Sequence, residues 1–150
     1  MPRKTDSNNP ADWISLAESD LEGVGALAER ELSYHLCRSK LAEVLEKVLK
    51  AELIRLGWYL QKTHDLEKLA GELANLRSDL VAQAKPLCTT LAEVYFSDRY
   101  PGFDLDDPDW PDLRAKLSQV NALLEKVRTR IATPPPQTGS SAPTGQGPGC

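Results

Sequence analysis

The sequence predicts an all-α fold: an up-and-down antiparallel bundle of four long helices plus one short helix. Three observations carry this. Apolar residues recur at intervals of three and four through most of the chain, short loop-forming stretches separate those runs, and no segment alternates apolar with polar residues in the manner of a strand. Amphipathic helices joined by short loops pack antiparallel to their neighbours. At 150 residues, 41% hydrophobic and 27% charged, the chain suits one domain able to bury a core. It contains no internal repeat.

The first helix places Trp13, Leu16, Ala17, Leu21, Val24, Leu27 and Ala28 on one stripe. Asn9 supplies its cap, Pro10 its first helical position and Asp12 a first-turn charge. A second helix is expected from about Ser33 to Leu56, with Leu41, Val44, Leu45, Val48, Leu49, Leu53 and Leu56 as a broad apolar face and Gly57 as its stop. The short helix runs from about Asp65 to Leu73, capped by Thr63, with Asp65 in its first turn and Leu66, Leu69 and Leu73 facing inward. The next long helix has Leu76, Leu80, Ala84, Leu87, Leu91 and Val94 in register, flanked by Val81, Cys88 and Tyr95, and Pro86 is expected to bend it. The last carries Leu113, Leu117, Val120, Leu124, Val127 and Ile131, and its basic finish of Lys126, Arg128 and Arg130 complements the helix dipole.

Beyond Ile131 the composition changes. Thr133 to Cys150 hold Pro134, Pro135, Pro136, Pro143 and Pro148 among glycine, serine and threonine, a mixture that cannot bury enough apolar surface to offset ordering entropy. The expected organisation is a flexible N-terminus over 1–8, a helical bundle over 9–132 and a disordered tail over 133–150. The formal net charge is -4. Apolar runs fall well short of the roughly 20 residues of a membrane span, and Met1-Pro2-Arg3-Lys4 is not followed by the apolar core of a secretion signal. A cytoplasmic protein without membrane contact is expected. Cys37, Cys88 and Cys150 form no close pair, so neither a zinc knuckle nor a redox motif is present. Cys37 and Cys88 read as reduced packing residues and Cys150 as an exposed thiol on the tail.

Two polar signatures stand out: Thr63-His64-Asp65-Leu66, and Asp98-Arg99-Tyr100-Pro101-Gly102. They follow Glu46-Lys47-Val48-Leu49-Lys50-Ala51 and Gly57, with Leu69 and Tyr95 between them. By the order and spacing of these pieces, the chain from about Ala11 to Ile131 resembles the HEPN domain family. The resemblance implies an up-and-down bundle that pairs as a dimer, handles nucleotide or RNA, and in bacteria accompanies a minimal nucleotidyltransferase. The helical domain of kanamycin nucleotidyltransferase is a similar bundle. A subset of the family are metal-independent endoribonucleases, active as toxins or in defence, with an arginine, four to six residues and then a histidine on a late helix at the dimer interface. Here the one such spacing, Arg30 to His35, falls between the first and second helices, and Leu113 to Ile131 contains no histidine. That departure favours a module without ribonuclease activity.

Each candidate residue has a functional and a plain reading. His64, an imidazole beside Asp65, can carry a proton; the pair equally shapes a helix N-terminus. Arg99 can hold a phosphate and Tyr100 stack on a base; the same residues can pair with Asp98 and cover the end of the bundle. Lys47 and Lys50, with Lys40, offer phosphates a positive surface, while Glu43 and Glu46 among them describe a solvated face of intrahelical ion pairs. Asp104, Asp106, Asp107, Asp109 and Asp112 form an acidic loop that lacks the central glycine and terminal glutamate of a calcium loop and carries Pro108 and Trp110 instead. No metal site and no cofactor are expected. Trp13 and Trp58 suit core or dimer packing, and Trp110 anchors the loop.

Three functions follow from these readings. The first is an accessory binding module, a homodimer that pairs with a nucleotidyltransferase and contacts nucleotide or RNA through Arg99, Tyr100, His64, Asp65, Lys47 and Lys50. The second is an endoribonuclease toxin in which His35 or His64 serves with Arg30 or Arg99. The third is a structural interaction protein whose polar signatures shape loops. The first predicts that His64 and Arg99 converge at one end of the bundle.

Overall fold

A computed structural model describes residues 7–97 and 107–132, with the side chains of 94–97 left aside. The Arg99–Gly102 signature, Asp104, Asp106 and the tail with Cys150 lie outside the described residues. Five helices follow in order: α1 (Pro10–Glu29), α2 (Tyr34–Arg55), α3 (Leu66–Asn75), α4 (Val81–Ser97) and α5 (Trp110–Ala132).

Side-chain ties give the directions. Lys47 and Lys50 of α2 meet Asp20 and Trp13 of α1, so those helices are antiparallel. Arg114 of α5 reaches the Ala28 carbonyl while Arg128 pairs with Glu18, so α5 is antiparallel to α1. Lys126 of α5 donates to Gln83 near the start of α4. The four long helices therefore alternate up and down, as the periodicity predicts. Helix α2 packs against all four of the others, and its burial reflects this: Leu41, Val44, Leu45, Val48, Leu49, Ala51 and Leu53 are fully enclosed.

The turns explain where the boundaries differ from expectation. Helices α1, α2 and α3 all end in the same motif, in which a left-handed residue lets the next amide reach back to a carbonyl inside the last turn: Leu32 to Leu27 at 3.0 Å, Trp58 to Leu53 at 2.9 Å, Ser78 to Leu73 at 2.9 Å. Glycine fills that left-handed position only at Gly57 (φ 95°); Glu31 (φ 54°) and Arg77 (φ 59°) fill the other two. Leu76 to Leu80, expected as the first turn of the fourth helix, is instead this turn, with Ser78 Oγ accepting from the Leu80 amide at 3.1 Å. Helix α4 then continues through Pro86, whose carbonyl accepts the Thr90 hydroxyl at 3.0 Å.

At the helix starts, Asn9 caps α1 as expected, accepting from the Ala11 amide at 3.0 Å. At α3 the roles shift by one step: Asp65 is the cap, accepting from the Glu67 and Lys68 amides at 3.1 and 3.2 Å, and Thr63 accepts from the Asp65 amide. Asp65→Ala should therefore cost about 1 kcal/mol, measurable by urea unfolding; a change below about 0.3 kcal/mol would show that the cap is dispensable. Asp109 plays the same part for α5, its carboxylate accepting from the Asp112 amide at 3.1 Å.

Periodicity placed most of the core correctly, with local exchanges. Ile14 is buried in place of Leu16, which is 56% exposed, and Leu123 joins Leu124 inside. Cys37 and Cys88 are free and buried. Desolvation, with the nearby Glu67 charge, pushes the Cys88 thiol up to about 12. A folded-state value above the unfolded one stabilises the fold below the ordinary thiol range, and that contribution is lost as pH climbs toward 12. Native protein at pH near 8 should accordingly resist iodoacetamide at Cys88, and denaturant should release it; rapid native labelling, located by mass spectrometry, would contradict the buried placement.

Candidate functional site

Burying a charge demands a partner, and α2 buries several. Glu46 and Lys50, one turn apart, form an ion pair of 2.8 Å with side chains only 10% and 3% exposed. Their spacing was legible in the sequence; their burial was not, and the solvated face expected there is confined to Lys40 and Glu43, paired at 3.0 Å on a more open part of the helix. The Lys50 ammonium also lies 5.1 Å from the centre of the Trp13 ring, a contact of about 2 kcal/mol in a desolvated setting. Trp13 is held in turn by its indole N–H donating to the Ser7 carbonyl at 2.7 Å.

His64 completes this cluster from the loop between α2 and α3. Its Nδ1 lies 3.1 and 3.2 Å from the two Glu46 oxygens. A carboxylate only accepts, so Nδ1 carries the hydrogen and donates. The ring is 68% exposed, although its partner is buried. The loop thus turns back along α2 by more than a helical turn before α3 begins, with a buried carboxylate fixing the tautomer and tilt of a surface imidazole. The sequence suggested Asp65 as the partner of His64; the structure gives that role to Glu46, while Asp65 is occupied with capping.

The other candidates are distributed differently. Lys47 pairs with Asp20 at 2.6 Å and ties α2 to α1. Arg30 is the exposed residue at the end of α1, and His35 is half-buried with its ring edge-on to Tyr34 at 5.2 Å. The two lie on either side of the α1–α2 turn, not together on a late helix. Tyr34 also meets Trp110 edge-on at 5.2 Å, which fastens the start of α5 to the start of α2. Arg99 and Tyr100 precede that point in the chain but lie outside the described residues, so the expected convergence with His64 is not displayed. Among the described residues no group of three metal-ligating side chains is assembled, and no helix is long and apolar enough to cross a membrane.

A second buried cluster lies on another face of α2, at its C-terminal end. Glu52, fully enclosed, accepts from Arg55 at 2.9 and 3.1 Å, from the Ser78 hydroxyl at 2.9 Å and from Arg130 at 2.8 Å. Arg130 reaches on to Asp79 at 2.7 Å. Sequence reading missed Glu52 because nothing local marks one glutamate of a helix as buried. This cluster joins α2, the α3–α4 turn and α5, and its acceptors are filled by the protein itself. It holds the bundle together and meets solvent through Asp79, an ion-paired carboxylate, whereas the first cluster meets solvent through the His64 imidazole.

An up-and-down bundle built around one enclosed helix, with an ordered histidine on the loop that follows it, defines a helical domain of a recognisable type. The family model described as HEPN domain matches residues 10–131, from the first residue of α1 to the last turn of α5. The chain belongs to the HEPN domain family. No curated protein and no solved structure matches it.

Proposed function

We propose that this chain is an accessory binding module of the HEPN type, a cytoplasmic homodimer that pairs with a nucleotidyltransferase and contacts nucleotide or RNA. The observation that carries the reading is the family match across residues 10–131, which takes in the whole described bundle. The geometry around His64 supports it: a solvent-facing imidazole with a fixed tautomer suits ligand contact better than core packing. In this reading Arg99 binds phosphate, Tyr100 stacks on a base and His64 contributes a hydrogen bond. Lys47, at the margin of the surface and paired with Asp20, adds to the field felt by a phosphate, Lys50 acts from the interior by holding Glu46 and through it His64, and Asp65 holds the loop in place as the cap of α3.

The test is co-purification with a nucleotidyltransferase encoded beside this chain, light scattering for the mass, and calorimetry with ATP. The expected results are a complex, a mass twice the 16.5 kDa of one chain, and a binding heat that disappears in the Arg99→Ala, His64→Ala double variant. A monomer that binds neither partner nor nucleotide would overturn the reading.

A further inference from the structure

We infer that the α2–α3 loop is a stacking site for an unpaired nucleobase, with Tyr59 as the platform and Lys62 and His64 as its polar rim. The inference rests on the nucleotide or RNA contact proposed above and assigns it to a surface. Three observations lead to it. Tyr59 is 89% exposed, the most open of the large apolar side chains on the described surface. Burying an aromatic ring is favourable, so a ring presented this fully to water from an ordered domain has surface to offer a partner. The loop that presents it is not a slack one. Gly57 sets its entry, Trp58 packs partly against the core, the His64–Glu46 contact pins its far end, and Leu66 is buried immediately after it. A platform held at both ends loses little freedom on binding.

The third observation is charge. From Arg55 to His64 the sequence reads Arg-Leu-Gly-Trp-Tyr-Leu-Gln-Lys-Thr-His, ten residues without a carboxylate in a chain whose net charge is -4. Lys62 is exposed and His64 largely so. A cation and a hydrogen-bonding ring carried on the same short loop as an open aromatic ring, three and five residues after it, match a base with its phosphate, whereas an apolar protein surface would leave the Lys62 ammonium without a complementary group. Single-stranded RNA fits better than duplex, because only an unpaired base exposes a face to stack on. Glu46 is the positioning residue in this arrangement: it touches no ligand and acts by fixing the His64 ring.

Fluorescence anisotropy with labelled oligoadenylate and oligouridylate, at low and at physiological salt, tests the assignment on the full chain. The expected result is binding of both single strands, weaker binding of their duplex, and a loss of about tenfold in affinity for Tyr59→Ala. Tyr59→Phe should stay within about twofold of the parent, since the ring face is kept. Lys62→Ala should lower the dependence of log affinity on log salt by roughly one. Tyr59 is so exposed that its variants will keep the parent melting temperature, which separates a binding effect from unfolding. Single-strand binding by the parent that Tyr59→Ala leaves intact would overturn the stacking site while leaving the nucleotide contact in place. A parent that binds no RNA would overturn the site and the RNA contact together. If Tyr59→Ala instead changes the oligomeric mass or the hold on a protein partner, with RNA binding unaltered, the ring belongs to a protein interface and the inference fails.

Discussion

Replacing Glu46 with alanine is expected to lower the unfolding free energy by about 3–5 kcal/mol. The loss comes less from the attraction between Glu46 and Lys50 than from what remains. Lys50 is 2% exposed, and without Glu46 its ammonium keeps the Trp13 face but no carboxylate. A buried uncompensated charge is among the few single changes able to take away a large share of a small domain's stability. His64 loses its Nδ1 acceptor at the same time, so the loop that carries Tyr59 should loosen as well. Urea unfolding followed by circular dichroism measures the first effect, and hydrogen exchange across residues 57–65 measures the second. The Glu46→Leu, Lys50→Met double variant removes both charges and should recover most of the stability without restoring the loop. A Glu46→Ala cost below about 1 kcal/mol would mean that the pair is hydrated and not buried.

Arg130→Ala should cost about 1.5–3 kcal/mol, the range for hydrogen bonds to charged groups. Its guanidinium is the described tie between α5 and the Glu52 carboxylate, and it extends to Asp79 in the α3–α4 turn. The cost stays below that of Glu46→Ala because Glu52 retains Arg55 and Ser78. Asp79→Ala should change little, since that carboxylate is 74% exposed. The Arg130 hydrogen bond, against a smaller opposing desolvation, holds the Asp79 carboxyl below its ordinary value. A lowered carboxylate value stabilises the fold above the ordinary carboxylate range and loses that contribution as pH falls through the folded value. The gap in stability between parent and Arg130→Ala should therefore narrow in acid; a gap independent of pH would detach Asp79 from the effect.

The helices were legible because their signal is local. Spacing at three and four residues marks α1, α3 and α5, and Asn9 with Pro10 marks where α1 begins. Gly57 marked the end of α2 because only glycine adopts positive φ freely. Glu31 and Arg77 adopt the same geometry without any such mark, which is why local periodicity extends the fourth helix back over the α3–α4 turn. Leu16 and Ile14 show a similar limit: both fit an apolar stripe, and the choice between them depends on which side of α1 the neighbours α2 and α5 occupy.

The site divides along the same line. Thr63-His64-Asp65-Leu66 could be recognised as a unit, and the Glu46–Lys50 pair follows from helical spacing, since both are relations among near neighbours. That His64 belongs with Glu46, eighteen residues earlier, depends on a loop doubling back along α2. Local sequence offered Asp65 instead because adjacency was the available guide.

By itself, then, the sequence determined an all-helical chain, the order and approximate extent of its helices and the family to which it belongs, because those depend on periodicity and short spacings that any window of the chain carries. Tertiary structure alone decided that α2 packs against all four other helices, that Glu46, Lys50 and Glu52 are buried charges, and that His64 and Tyr59 stand at the surface. Burial is set by which helices come to surround a residue, and that is a property of the assembled bundle, not of any segment within it.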